Sequence, residues 1–164
     1  MATTYEPIAT TTVSGTVSSI VFSSIPNTYT DLRIVFNGAV SASTALRVQL
    51  NSDTGSNYYM GILYGDGSAA SGNGFNNSFF GPTWARGLDT TIPTFVTLDI
   101  LSYAGSTYKP ILSKEAADRN GTGSVSFNNG LWKSTSAVTR VELYISGGSY
   151  NNGTTATIYG IKAA

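Results

Sequence analysis

The chain is expected to fold as an all-β protein, an antiparallel β-sandwich wound like a jelly roll. Three observations point there: a hydrophobic period of two in nearly every segment, turn-forming dipeptides between those segments, and no stretch with a sustained helical period. The alternation is clearest in four places. Leu32, Ile34 and Phe36 alternate with Arg33, Val35 and Asn37. Leu46, Val48 and Leu50 flank Arg47 and Gln49. Val96, Leu98 and Ile100 flank Thr97 and Asp99, and Val141, Leu143 and Ile145 flank Glu142 and Tyr144. Side chains on a strand point to opposite faces in turn, so each set defines one buried face. Weaker strand candidates are 10–13, 18–22, 58–64, 75–80, 109–114, 124–127 and 155–161.

Turns are expected where Asn-Gly or Asp-Gly offers residues that tolerate positive φ: Asn37-Gly38, Asp66-Gly67, Asn73-Gly74, Asn120-Gly121, Asn129-Gly130 and Asn152-Gly153. Pro26, Pro82 and Pro93 fall near strand boundaries, where a missing N–H is harmless. The best helical candidate is 114–119, with Glu115, Ala116 and Ala117, and it makes at most one short turn. One domain spanning 1–164 is expected, with a short N-terminal arm over about 1–12.

Composition narrows function by exclusion. Of 164 residues only 11% are charged, while 41% are hydrophobic and 12% aromatic. Aromatic and β-branched residues at that level support a core, unlike the composition of disordered chains. The polar surface must therefore be mostly Ser, Thr, Asn and Gly. A net charge of +0 leaves no electrostatic footprint for nucleic acid or anionic membrane. It also leaves no long-range repulsion between copies. The opening residues lack the basic and apolar regions of a signal peptide, and no apolar run reaches membrane-spanning length.

With His 0 and Cys 0, there is no imidazole base for a serine nucleophile and no thiolate, and the usual zinc ligands are missing. No phosphate-binding glycine loop ending in Gly-Lys-Ser/Thr is present. A carboxylate pair for glycoside hydrolysis would have to come from Glu6, Asp31, Asp53, Asp66, Asp89, Asp99, Glu115, Asp118 and Glu142. Asp99 alone lies inside an apolar strand, where an outward position or a Lys or Arg partner accounts for it. The chain is expected not to be an enzyme and to carry no cofactor. Residues 51–57, Asn-Ser-Asp-Thr-Gly-Ser-Asn, place side-chain oxygens in one loop, as a calcium site would. The spacing is not that of an EF-hand, and a hairpin capped by Asp53 and Asn57 accounts for it more simply.

The stretch 65–81 is rich in Gly, Ser and Asn, and Phe75, Phe79, Phe80 and the nearby Trp84 interrupt it. It reads either as a mobile surface loop with a strand in it or as a contact loop whose aromatics bury on a neighbour or a ligand. Trp84, Trp132 and the pair Tyr58-Tyr59 are the candidates for stacking on sugar rings. Trp132, beside a strand, is expected in the core, which leaves Trp84 as the better choice.

Several stretches resemble small virion proteins of tailed bacteriophages. They are Ala2-Thr3-Thr4-Tyr5-Glu6-Pro7-Ile8-Ala9, Tyr29-Thr30-Asp31-Leu32, Asp53-Thr54-Gly55-Ser56-Asn57-Tyr58, Leu63-Tyr64-Gly65-Asp66-Gly67-Ser68, Leu131-Trp132-Lys133-Ser134-Thr135-Ser136 and Ile158-Tyr159-Gly160-Ile161-Lys162. The resemblance implies a β-sandwich present in many copies on a particle assembled in the host cytoplasm. A capsid decoration (cement) protein, bridging major capsid subunits as a homotrimer, fits the small size. A glycan- or receptor-binding module of a tail or head fibre fits the aromatic loop. For contact with a neighbouring copy, a capsid subunit or a host glycan, the expected residues are Tyr5, Phe75, Phe79, Phe80 and Trp84.

Overall fold

A computed structural model describes residues 4–162. The first three residues of the expected arm lie outside that range, as do the last two of the chain. Among the described residues eleven strands follow one another: β1 (Tyr5–Thr12), β2 (Ser19–Phe22), β3 (Asp31–Gly38), β4 (Leu46–Leu50), β5 (Tyr58–Gly65), β6 (Ala70–Asn77), β7 (Thr94–Ile100), β8 (Lys109–Asp118), β9 (Gly123–Trp132), β10 (Val141–Ile145) and β11 (Thr155–Ile161). All pairings are antiparallel. The strands form an eight-stranded sheet, ordered β1-β11-β3-β7-β8-β9-β5-β6, and a three-stranded sheet, β2-β10-β4. This is an all-β sandwich; the eight-and-three division does not by itself establish a jelly-roll winding.

The four strongest alternations deliver the core. Leu32, Ile34, Phe36, Leu46, Val48, Leu50, Val96, Leu98, Ile100, Val141, Leu143 and Ile145 are all buried, in one cluster shared by both sheets. Burying aliphatic and aromatic side chains of this size stabilises by about 1.5–3 kcal/mol each before chain entropy is counted. Tyr58 ties the layers together from β5, its hydroxyl accepting from Leu50 N of β4 at 2.8 Å. Trp132 is buried, as expected, and stacks on Tyr58 with ring centroids 6.5 Å apart.

Residues 5–12, expected as an arm, are the edge strand β1, paired along β11 with one register shift between Pro7 and Ala9. The 65–81 stretch holds a strand, β6, which pairs along the whole of β5 as a hairpin. The weak helical candidate 114–119 is a strand as far as Asp118. Its period of two was hidden because its buried face is itself partly polar: Ser113, Glu115 and Ala117 point inward, Lys114, Ala116 and Asp118 outward.

Three of the six turn dipeptides turn. Asn120 and Gly121 both take positive φ in a two-residue loop closed by an Arg119 N–Thr122 O hydrogen bond of 2.8 Å, the geometry that twists with its strands. Gly67 and Gly153 also take positive φ. Asn73-Gly74 and Asn129-Gly130 instead lie inside β6 and β9, and Gly38 ends β3 against the side chain of Thr154. Among the described residues no helix is long and apolar enough to cross a membrane.

Candidate functional site, the open face of the large sheet

The three-stranded sheet and the connecting segments cover one face of the eight-stranded sheet. The other face is open, and its centre is apolar. Leu63 is 59% exposed, Val125 58% and Phe127 50%; Phe95, Leu112 and Tyr59 are exposed to a similar degree. Registry makes these side chains neighbours. One row across the sheet runs Val35, Thr97, Lys114, Phe127, Leu63. The next runs Phe95, Ala116, Val125, Gly65. Leu112 lies in the row on the other side, between Asp99 and Asn129. Sequence reasoning missed this face because the weaker strand candidates 58–64, 109–114 and 124–127 that carry most of it had no side assigned to them. Only the strand order shows that Phe95, Val125, Phe127 and Leu63 adjoin.

Charge on this face is sparse, and Arg33 and Asp99 form an ion pair on it. Arg33 of β3 lies opposite Asp99 of β7 and holds it bidentately, Nε–Oδ1 at 2.5 Å and Nη2–Oδ2 at 2.7 Å. That pairing is one of the two explanations offered by the sequence for an acid within an apolar strand. The Arg33 guanidinium also lies 5.6 Å from the ring centre of Tyr5, which packs on Tyr159. Lys114 lies with its ammonium 5.6 Å from the ring centre of Phe127.

The other expected contact residues divide. Phe75, Phe79 and Trp84 come together, with ring centroids 5.3 Å (Phe75–Trp84) and 5.5 Å (Phe79–Trp84) apart. Phe79 also meets Tyr144 and the Arg47 guanidinium, 4.5 Å from its ring centre, and is buried. Trp84, 38% exposed, closes one side of a groove of about 280 Å³ lined by Ile62, Tyr64, Ser71, Asn73 and Ala85. Phe80 does not join this group: it is fully buried in the core, where its backbone bridges to Val48 of β4. Tyr5 stands on β1, at the far edge of the sheet from β6.

The oxygen-rich loop at 51–57 is turned on its own chain. The Asp53 carboxylate accepts from Gly55 N, Asn57 Nδ2 and the indole Nε1 of Trp132. Asn51 binds Ala137 O, Thr139 N and Arg140 N. Asp66 caps the β5–β6 turn through Ser68 and Ala69 and pairs with Arg86, which together hold its carboxyl down to about 2. Among the described residues no group of three or more His, Cys, Asp and Glu is placed to hold a metal ion.

Beneath the open face, the inward side of β8 and β9 carries a polar strip. Glu115 Oε2 accepts from Ser126 Oγ at 2.9 Å, and Asn128 Nδ2 donates to Pro82 O at 2.5 Å. Glu115 Oε1 and Asn128 Oδ1 have no hydrogen-bond partner among the described residues. Burial pushes the Glu115 carboxyl above its ordinary 4.5, against the opposing pull of Ser126, Arg119 and Arg86. A raised value in the fold means that its contribution is fully present below the unfolded value and is lost as pH rises through the folded one. Glu115→Gln is therefore expected to stabilise the protein near neutral pH by about 1 kcal/mol and to leave stability unchanged in acid. Thermal unfolding at both pH values checks this; equal gains at both would contradict it.

No protein-family model matches this chain, and no curated protein or solved structure matches it.

Proposed function

We propose that the chain is a structural component of a bacteriophage virion, a capsid decoration (cement) protein that bridges major capsid subunits, and that it acts by surface packing rather than catalysis. The observation that carries this reading is the open apolar face. Folded monomers rarely leave so many large apolar side chains contiguous and wet, and such a patch marks a protein–protein contact. The Ser/Thr/Asn/Gly surface, the neutral charge and the virion-like stretches support the same reading. Binding the assembled shell and not its separated subunits would stabilise the shell by mass action. Fractionation of purified particles tests it: the chain is expected with DNA-filled heads, and its presence only with tails would overturn the proposal.

A second reading, a glycan-binding module of a tail or head fibre, is favoured by the Trp84 groove. There two aromatic rings, Trp84 and Tyr64, meet the hydroxyl of Ser71 and the amide of Asn73, an apolar wall with a few orienting polar groups. On that reading Trp84→Ala is expected to cut host adsorption about tenfold, as loss of one aromatic contact does. Unchanged adsorption, with no binding on a glycan array, rejects the reading.

A further inference from the structure

We infer that the open face pairs with the same face of a second copy, about a two-fold axis passing at Ala116. The inference rests on the reading of that face as a protein contact and names its partner. Three observations carry it. The first is charge. Lys114, Ala116 and Asp118 are successive outward residues of β8, and all are exposed. Among the described residues neither Lys114 nor Asp118 forms an ion pair within its own copy. A two-fold axis lying between two stacked sheets, across β8 at Ala116, reverses that strand onto itself. Lys114 of each copy then faces Asp118 of the other, twice. Complementarity of this kind, where position i meets j and j meets i, is what an isologous contact requires.

The second observation is shape. Phe127 shares a row with Lys114, and Gly123 shares a row with Asp118. The same axis sets each Phe127 ring over the other copy's Gly123, where no side chain stands. Phe95, Ala116 and Val125 share the row on the axis and meet their own counterparts.

The third is anatomy. With the axis at Ala116, the part of the open face from Lys114 to Asp118 on β8 and β9, with Phe95 of β7 beside it, stacks on its own counterpart. Its apolar centre lies between Thr10, Thr157 and the Arg33–Asp99 pair on one side and the Gly/Ser/Asn residues of β6 on the other, an apolar core with a polar rim. With net charge +0, no global repulsion opposes pairing. Each pair then presents two copies of every remaining surface, as bridging two capsid subunits demands.

Sedimentation of the full chain at micromolar concentration tests the pairing. The wild type is expected at twice the chain mass. Lys114→Asp alone puts acids opposite Asp118, and Asp118→Lys alone puts ammonium groups opposite Lys114. Each is expected to raise the dissociation constant about tenfold or more. Mixing the two variants is expected to restore a pair, as a heterodimer, since both contacts are then complementary. Phe127→Asp, on the same exposed face, is expected to give a monomer with an unchanged circular dichroism spectrum. A wild-type monomer or trimer would overturn the inference, as would a dimer indifferent to all three substitutions. Particle fractionation separates this from the functional reading: a monomer found on heads overturns the pairing alone, and a dimer found only on tails overturns the virion-shell reading alone.

Discussion

Replacing Phe80 with alanine is expected to lower stability by about 3–5 kcal/mol, the cost of deleting a buried aromatic ring and leaving its cavity. At about 2–4 °C per kcal/mol for a chain of this length, the melting temperature falls by roughly 10 °C or more. Phe80 is fully buried, and its backbone exchanges hydrogen bonds with Val48, N to O at 2.9 Å and O to N at 2.7 Å. That bridge joins the segment after β6 to the edge of the small sheet. The ring itself lies against Gly130 of β9. A Cβ at Gly130 would stand 2.5 Å from Phe80 Cε2 and 2.8 Å from Tyr59 O. Gly130 thus leaves room for the ring, and Phe80 fills it. Gly130→Ala is expected to destabilise as well, and Phe80→Ala does not rescue it, because the Tyr59 carbonyl belongs to the backbone of the neighbouring strand. Urea unfolding of the three variants measures this; a loss below about 1 kcal/mol for Phe80→Ala would mean the ring does not bridge the layers.

Gly130 also shows where local sequence stops being informative. Asn129-Gly130 and Asn120-Gly121 carry the same local signal, yet one is mid-strand and the other a tight turn. What separates them is a ring 50 residues away in sequence, which no local window contains. The four strongly alternating segments were legible because both conditions met in them: one face apolar, one polar. β8 was legible only in its first half, as the candidate 109–114, because Ser113 and Glu115 face inward while Leu112 faces outward, so its pattern inverts part of the usual rule. The candidate site failed in the same way. Val125 and Phe127 each sit singly among polar neighbours in the chain, and Phe95 stands beside Val96, whose alternation points the other way. They become a surface only when β7, β8 and β9 lie side by side. The aromatic stretch was half legible: Phe75, Phe79 and Trp84 do converge, but the backbone bridge to Val48 takes Phe80 into the core.

Asp53→Ala is expected to cost about 2–3 kcal/mol at neutral pH, with a loss that shrinks in acid. The carboxylate is the common acceptor for Trp132 Nε1 at 2.7 Å, Gly55 N at 2.9 Å and Asn57 Nδ2 at 3.0 Å. Without it the indole N–H of a buried Trp132 loses its partner, and the loop that carries β4 into β5 loses its cap. Partial burial of Asp53 raises its carboxyl value, but the hydrogen bonds from Trp132, Gly55 and Asn57 outweigh burial and hold it below the ordinary 3.8. A depressed value in the fold means stability that is present above the unfolded value and is lost as pH falls through the folded one. Wild type and Asp53→Ala should therefore converge below about pH 4. Glu6, Asp66 and Asp89 are also held low by their partners and add to acid loss in both proteins, so the difference between the two curves isolates Asp53. Asp53→Asn keeps the size and one acceptor oxygen but turns a donor toward donors. It is expected to fall between the two at neutral pH and to show the flatter acid limb of Asp53→Ala. Unfolding free energies measured from neutral pH down to about 2 decide the matter: curves that stay parallel throughout would mean that the ionised carboxylate does not hold Trp132.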